Sequence, residues 1–330
     1  MKVNLGVVQR HILMFPVLFS FLAVSCYSPA SDSDLTEISN QVSTPEISAH
    51  EYPRVDGSTS TSPLNMLIAC ILIDVPCKWI QWLEGYMHLA PDITHFDGEF
   101  PNIPTSGTHG AYVSLMENQS DLILVARLPS QDELDAAVML GVRLHPVPIA
   151  YDAFVFIVNE DNPVEFLSTT QIQDIYTGEL SNWSEVGGTN NLIRPYQRDP
   201  NSGSQELMEK LVMKDKRMIE APEMVLLKMM APFYALSDDP DGIGYSVYYF
   251  EEFMAGIEKV KLLGVDGVMP NFETIQRGEY PYVTEIYAVI RGDLHQDSKA
   301  YQLWTWLQSP GGQKVVAESG YVPVLSVESK

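Results

Sequence analysis

The chain of 330 residues carries 20 lysines and arginines against 43 aspartates and glutamates, a formal charge of −23, with 45% apolar and 19% charged residues. That balance supplies enough apolar material for a sizeable core and excludes disorder over the whole length. A groove that tracks a phosphate backbone needs clustered cations, and none cluster here, which argues against nucleic acid as a partner.

In chain order, the first segment reads as a targeting signal. Lys2 and Arg10 flank the start of an apolar run, Ile12 to Val24, broken only by Pro16 and Ser20, and Ala23-Val24-Ser25 leads into Cys26. The pattern resembles a bacterial lipoprotein signal over residues 1–25, with Cys26 as the lipidated first residue of the mature chain, although Ala23 stands where Leu is usual. An ordinary secretory signal with an incidental cysteine is the alternative. The run falls short of the roughly 20 apolar residues a spanning helix needs. Removing residues 1–25 takes away Lys2 and Arg10 and no acid, so the formal charge goes from −23 to −25. Residues 26–50, rich in Ser, Thr, Pro and acids, read as a flexible tether.

From Tyr52 onward, short strand-like runs alternate with amphipathic stretches, the mark of an α/β architecture. Strands are expected at Asp121–Ala126, Leu144–Ile149, Ala153–Asn159, Gly244–Tyr249 and Ile286–Arg291. Helices are expected at Pro63–Ile73, Lys78–His88, Ala111–Glu117, Ser130–Leu140, Thr170–Tyr176, Ser204–Met213 and Lys299–Gln308. Cys70 and Cys77 can pair in an exported protein, or can be two small apolar residues near a helix end. The spacing leaves both open.

One feature recurs three times. Gly57-Ser58-Thr59, Ser106-Gly107-Thr108 and Ser202-Gly203-Ser204 each sit just ahead of or within a helix start, and Arg198 precedes the third. The first amides of a helix lack intrahelical acceptors and lie at the positive end of its dipole. Glycine lets the backbone come close to an oxyanion, and the hydroxyls donate further hydrogen bonds. Each bond to a charged acceptor contributes roughly 1.5–3 kcal/mol. The same residue types cap ordinary helices, so each turn alone is more often a cap than a site, and it is the three together that point to a ligand.

The middle of the chain is more specific. Tyr151–Gly188 reads YDAFVFIVNEDNPVEFLSTTQIQDIYTGELSNWSEVGG, and Ile193–Gln205 reads IRPYQRDPNSGSQ. Ile175-Tyr176-Thr177-Gly178, Asn182-Trp183 and Val186-Gly187-Gly188, followed by an arginine and Ser-Gly-Ser, resemble the phosphate-binding, PstS-like members of the bacterial periplasmic-binding-protein superfamily. The likeness is strong over residues 151–206 and looser across 52–325.

The resemblance implies a two-lobed, type II venus-flytrap fold of α/β class. One lobe would take residues 51–149 plus 243–330 and the other 150–242, with hinge crossovers near Ile149-Ala150 and Gly242–Gly244. It implies ligand contacts from Ser58, Thr59, Ser106, Gly107, Thr108, Arg198, Ser202, Gly203 and Ser204, and closure of the lobes over the ligand. Trp183 and the neighbouring glycines would shape the lobe without touching ligand. Phosphate-specific relatives carry an acidic proton acceptor just after the strand matching Asp121–Leu124; here Val125-Ala126-Arg127 stands in its place. Arg127 in the cleft would favour a fully ionised oxyanion or a carboxylate, although it can equally face solvent. His109, beside the second turn, is a further candidate for the cleft.

No cofactor or metal is expected: His11, His50, His88, His95, His109, His145 and His295 are scattered, without metal-ligand spacing. No nucleophile signature such as GxSxG occurs, so an enzyme is not expected. The expectation is a lipid-anchored, extracytoplasmic solute-binding protein that captures a small oxyanion, phosphate by resemblance, for an ABC permease. The alternative is a receptor or scaffold reusing the fold for sensing or protein interaction.

Overall fold

The computed structural model describes residues 43–83 and 85–325. The expected signal, Cys26 and the tether up to residue 42 lie outside them. The tether ends sooner than expected, because Ile47 is already buried and Lys299 Nζ donates to the Glu46 carbonyl at 2.7 Å.

Strand β1 (Val55–Gly57) leads into α1 (Ser62–Ile73), where Pro63 occupies the first turn and its missing N–H leaves no bond unmade. A hairpin of β2 (Cys77–Leu83) and β3 (Tyr86–Pro91) follows, tied to the end of α1 by a Cys70–Cys77 disulfide. This overturns the helix expected at Lys78–His88. The apolar positions in that run fit a helical spacing, but they are aromatic and branched residues suited to a strand. Gly85, at φ +69°, permits the tight reversal that places Tyr86 opposite Leu83. Next come α2 (Gly107–Met116), β4 (Leu122–Val125) and α3 (Gln131–Met139), the last opened by a capping box of Ser130 and Glu133.

Strand β5 (Leu144–Asn159) runs unbroken through the two strands expected separately at Leu144–Ile149 and Ala153–Asn159. After it come β6 (Phe166–Leu167) and α4 (Thr169–Thr177), which opens on a Ser168–Gln171 capping box. Then follow β7 (Arg194–Pro195), β8 (Gln197–Arg198) and α5 (Gly203–Leu207), which continues as a π-helix over Met208–Met213. The chain proceeds through β9 (Val225–Leu226), α6 (Ala231–Asp238), β10 (Gly242–Val247), α7 (Tyr248–Phe253), β11 (Val260–Val265) and α8 (Phe272–Gln276). It ends in β12 (Val283–Arg291), α9 (Lys299–Leu307), α10 (Pro310–Glu318) and β13 (Val322–Pro323).

β5 is shared by two halves of one sheet. Its first part, Leu144–Ala153, pairs antiparallel with β12, which in turn pairs with β4, and β4 with β1; β13 lies against Ala150 and Tyr151. Its last part pairs with β10 on one side and β11 on the other. Phe154, Val155, Phe156, Ile157 and Val158 are each fully buried, as a strand covered on both faces requires. Burying each such side chain contributes roughly 1.5–3 kcal/mol.

The first expected crossover falls inside this continuous strand, next to the register shift between Ile286 and Tyr287 of β12. The second does not separate the halves: β10 and β11, within the stretch expected to rejoin the first lobe, both pair with the last part of β5. No helix among the described residues is long and apolar enough to cross a membrane.

Candidate functional site

The end of β1 and the start of α1 are held by their neighbours. The Ser58 amide donates to the Leu124 carbonyl at 3.0 Å, and the Thr61 hydroxyl reaches the same oxygen at 2.7 Å. Buried Asp56 then ties the first turn to the second, its Oδ1 accepting from the amides of Gly57 at 2.7 Å and Ser106 at 3.0 Å. The amides of Thr59 and Ser60 have no acceptor among the described residues. The first amides of α2, at Gly107 and Thr108, are likewise beyond the reach of any intrahelical carbonyl.

The third turn faces these two from the other half of the sheet. Ser202 Oγ caps α5 by accepting from the Gln205 amide at 3.1 Å. Gly203 packs so close to α2 that a Cβ there would lie 2.8 Å from Thr108 Oγ1, so a side chain would push the walls apart.

Ser58, Thr59, Ser106, Gly107, Thr108, His109, Arg198, Ser202, Gly203 and Ser204 all line one cavity of about 950 Å³. Three separate turns and one arginine thus line a single cavity. Charge is distributed unevenly there. In a chain with more than twice as many acids as bases, the cavity lining among the described residues holds Arg198, Lys228 and one carboxylate, Asp199.

Arg198 is 5% exposed. Its Nε donates to the Leu226 carbonyl at 3.1 Å and its Nη1 to the thioether of Met229 at 3.3 Å. Burial pulls its pKa down, and among the described residues no carboxylate forms an ion pair with it. Asp199 is turned to its own loop, accepting from the Asn201 amide at 2.9 Å. A buried guanidinium with no ion-pair partner among the described residues, beside helix starts, attracts an anion.

Arg127 is neither in the cleft nor in solvent. It is 6% exposed and makes a two-pronged contact with Glu133, Nη1 to Oε2 at 2.8 Å and Nη2 to Oε1 at 2.9 Å. Its Nε lies 2.7 Å from a carboxylate oxygen of Glu206 on α5, and its guanidinium sits 5.7 Å from the Tyr112 ring centroid. Burial pushes the Glu133 carboxyl up, but Arg127, the Ser130 amide and His109 together hold it below the ordinary range. His109 does reach the cavity, with Nδ1 3.0 Å from Glu133 Oε1.

Several contributors escaped the sequence reading. Asp56 stands immediately before the first turn, and Glu133 is the third position of a capping box, so each carried a local signal. Tyr86 and Met229 carried none, because strand and loop segments far apart in sequence bring them to the cavity. Among the described residues, no cluster of three or more His, Cys, Asp or Glu is placed to hold a metal.

Residues 44–311 match the PBP superfamily domain. Among curated proteins, the phosphate-binding protein PstS of Bacillus subtilis is 28% identical over 177 residues, a stretch covering 52% of this chain and 55% of that protein, about half of each. Among solved structures, one assigned as a phosphate ABC transporter substrate-binding protein from Clostridium perfringens, with bound phosphate, superposes with a TM-score of 0.62 at 23% identity, covering 83% of this chain and 99% of that one. An ABC-type phosphate transport receptor from Vibrio cholerae gives a TM-score of 0.58 at 20% identity, with 82% and 99% covered. At these identities the two structures bear on the fold.

Proposed function

This chain belongs to the PBP superfamily and has its type II, two-lobed α/β fold, and from that premise we propose that it is an extracytoplasmic solute-binding protein capturing a small oxyanion for an ABC importer. Phosphate is the ligand suggested by the names of its relatives. The observation that carries the reading is Arg198: a buried cation, without a carboxylate partner among the described residues, on the wall where three hydroxyl-bearing turns meet. Ser58, Thr59, Ser106, Gly107, Thr108, Ser202, Gly203 and Ser204 would supply hydroxyl and amide donors to the anion, and Arg198 its neutralising charge. The protein's part is binding and release, not turnover.

In this reading the lobes are residues 51–149 with the chain after β11, and residues 150–265, hinged where β5 passes from one half of the sheet to the other. Cys26 would carry the lipid that keeps the protein at the membrane, within reach of the permease. The strongly acidic surface does not oppose anion capture, since charges beyond a screening length of about 8 Å at physiological salt are largely hidden from the cleft. Local donors set the affinity, and net charge mainly slows encounter.

Isothermal titration with inorganic phosphate tests the reading, with a thermal melt alongside it. At a hundredfold excess over Kd, binding stabilises by about 2.7 kcal/mol and raises Tm by about 5 °C. Arg198→Met is expected to weaken binding by about 10- to 100-fold, the loss of one or two charged hydrogen bonds. Neither heat nor a Tm shift with millimolar phosphate or any phosphate ester would overturn the proposal.

A further inference from the structure

The cavity has a second wall that a five-atom anion does not need. Beside the polar turns, Tyr86, Leu227, Met229, Met230, Val247 and Phe250 also line the cavity. Tyr86 comes from the β2–β3 hairpin and stacks on Phe250 of α7, their ring centroids 6.1 Å apart. Leu227 is 71% exposed although it lines the cavity, an apolar side chain with little of its own protein to cover it.

The space is not the product of lobes standing apart. Gly203 already lies against Thr108, and Arg127 of one half reaches Glu206 of the other at 2.7 Å. With the walls in contact on that side, about 950 Å³ remains. Cavities of roughly 300–1,000 Å³ bury ligands the size of drugs, whereas a bare oxyanion replaces only a few waters of about 30 Å³ each. A bare anion on the polar turns would leave the apolar wall facing water.

The polar wall also does not call for a bare anion. A tetrahedral ion held on every side needs a protein acceptor for any proton it keeps, and among the described residues the cavity lining offers one carboxylate, Asp199, whose Oδ1 already accepts from the Asn201 amide at 2.9 Å. A monoester needs no such acceptor: its ester oxygen carries the substituent, and its three remaining oxygens are acceptors for Arg198 and the turns.

We propose that the physiological ligand class is an organic phosphate monoester, its phosphoryl group on the three turns and Arg198 and its apolar or aromatic substituent against Met230, Leu227 and the Tyr86–Phe250 pair. The proposal rests on the oxyanion-binding reading above and narrows it. Met229 joins the two kinds of lining, an apolar residue of the cavity whose sulfur accepts from Arg198 Nη1 at 3.3 Å.

Parallel titrations of the full-length protein with inorganic phosphate and with phenyl phosphate test it. Burying one ring should make phenyl phosphate the tighter ligand by at least about tenfold. Leu227→Ser and Tyr86→Ala, each at the apolar wall, should narrow that ratio by about threefold or more. Equal affinities, or a preference for inorganic phosphate, would overturn the ester proposal and leave the oxyanion reading standing. Binding of neither ligand would overturn both. A preference for phenyl phosphate that both variants leave intact would also overturn the proposal, because the ring would then be bound elsewhere.

Discussion

Asp152 is the residue whose surroundings fit its chemistry least. It sits on β5 between the two halves of the sheet, 1% exposed, with Oδ1 accepting from the amides of Ala153 at 2.8 Å and Tyr249 at 3.0 Å. Its other oxygen has no hydrogen-bond partner. Burial pushes its pKa up to about 7, against the pull of those two amides. In the unfolded chain an aspartate titrates near about 3.9, so between about pH 4 and pH 7 the folded state holds the extra proton. The contribution of this group to stability is therefore fully present below about pH 4 and is lost as pH rises through about 7. Unfolding free energies measured by urea titration from pH 5 to pH 8 should fall for the native protein by on the order of 2–4 kcal/mol. Asp152→Asn keeps the Oδ1 acceptor and removes the charge, so its profile should be flatter by that amount. Parallel profiles for the two proteins would show that Asp152 does not titrate in this range.

Among the elements, the β2–β3 hairpin stands apart from the main sheet. Among the described residues it pairs with no strand outside itself, and its attachments include the Cys70–Cys77 disulfide, the Met87 amide to the Met254 carbonyl at 2.9 Å, the Gly256 amide to the Gly85 carbonyl and the Tyr86 ring on Phe250. Trp82, at its turn end, is 69% exposed. Cross-linking residues seven apart closes a short loop, which in the chain-entropy account stabilises by about 2 kcal/mol. Cys77→Ser is expected to lower stability by that amount in thermal melts under oxidising conditions. It should also make the hairpin amides exchange faster than those of β5, because the covalent tie to α1 is gone. Equal protection of the hairpin in both proteins would mean that the packing against α7 alone holds it. By contrast, β5 needs no such tie, since strands flank both of its edges and its last part is buried on both faces.

Across the molecule, the two halves of the sheet meet through β5 and through the cluster of Glu133, Arg127 and Glu206. Arg127 is the cation between two carboxylates, one on α3 and one on α5. Its removal would leave Glu133 buried without its counter-charge, a loss of about 3–5 kcal/mol for a broken buried pair. Arg127→Met should therefore lower the urea midpoint markedly, and Glu206→Gln, which leaves the Glu133 contact intact, should cost less. Because Arg127 stands behind the cavity wall, the fold that survives in Arg127→Met should retain most of its anion affinity. A variant as stable as the native protein would show that the cluster holds nothing together.

Much of this was legible in the linear chain. Ser130-x-x-Glu133 and Ser168-x-x-Gln171 announce helix starts because a cap is made by residues three apart, and the helices begin there. The all-apolar run Ala153–Val158 announces a buried strand, and the Ile175–Gly188 motif announces the superfamily to which the chain belongs. The three Ser/Thr-Gly turns were readable one by one as helix starts, because helix geometry is local. Their convergence was not readable, since it depends on the pairing of β1 with β4 and of β10 with β5 across distances of many residues. The hairpin at Lys78–His88 was misread because its apolar spacing suits either period, and its Gly85 turn, its disulfide and its contact with α7 decide between them. Arg127 was misplaced for a related reason. An arginine in a sequence has no visible partner, and the carboxylate that fixes it from the other half, Glu206, lies far along the chain and comes near only when the two halves of the sheet close on one another.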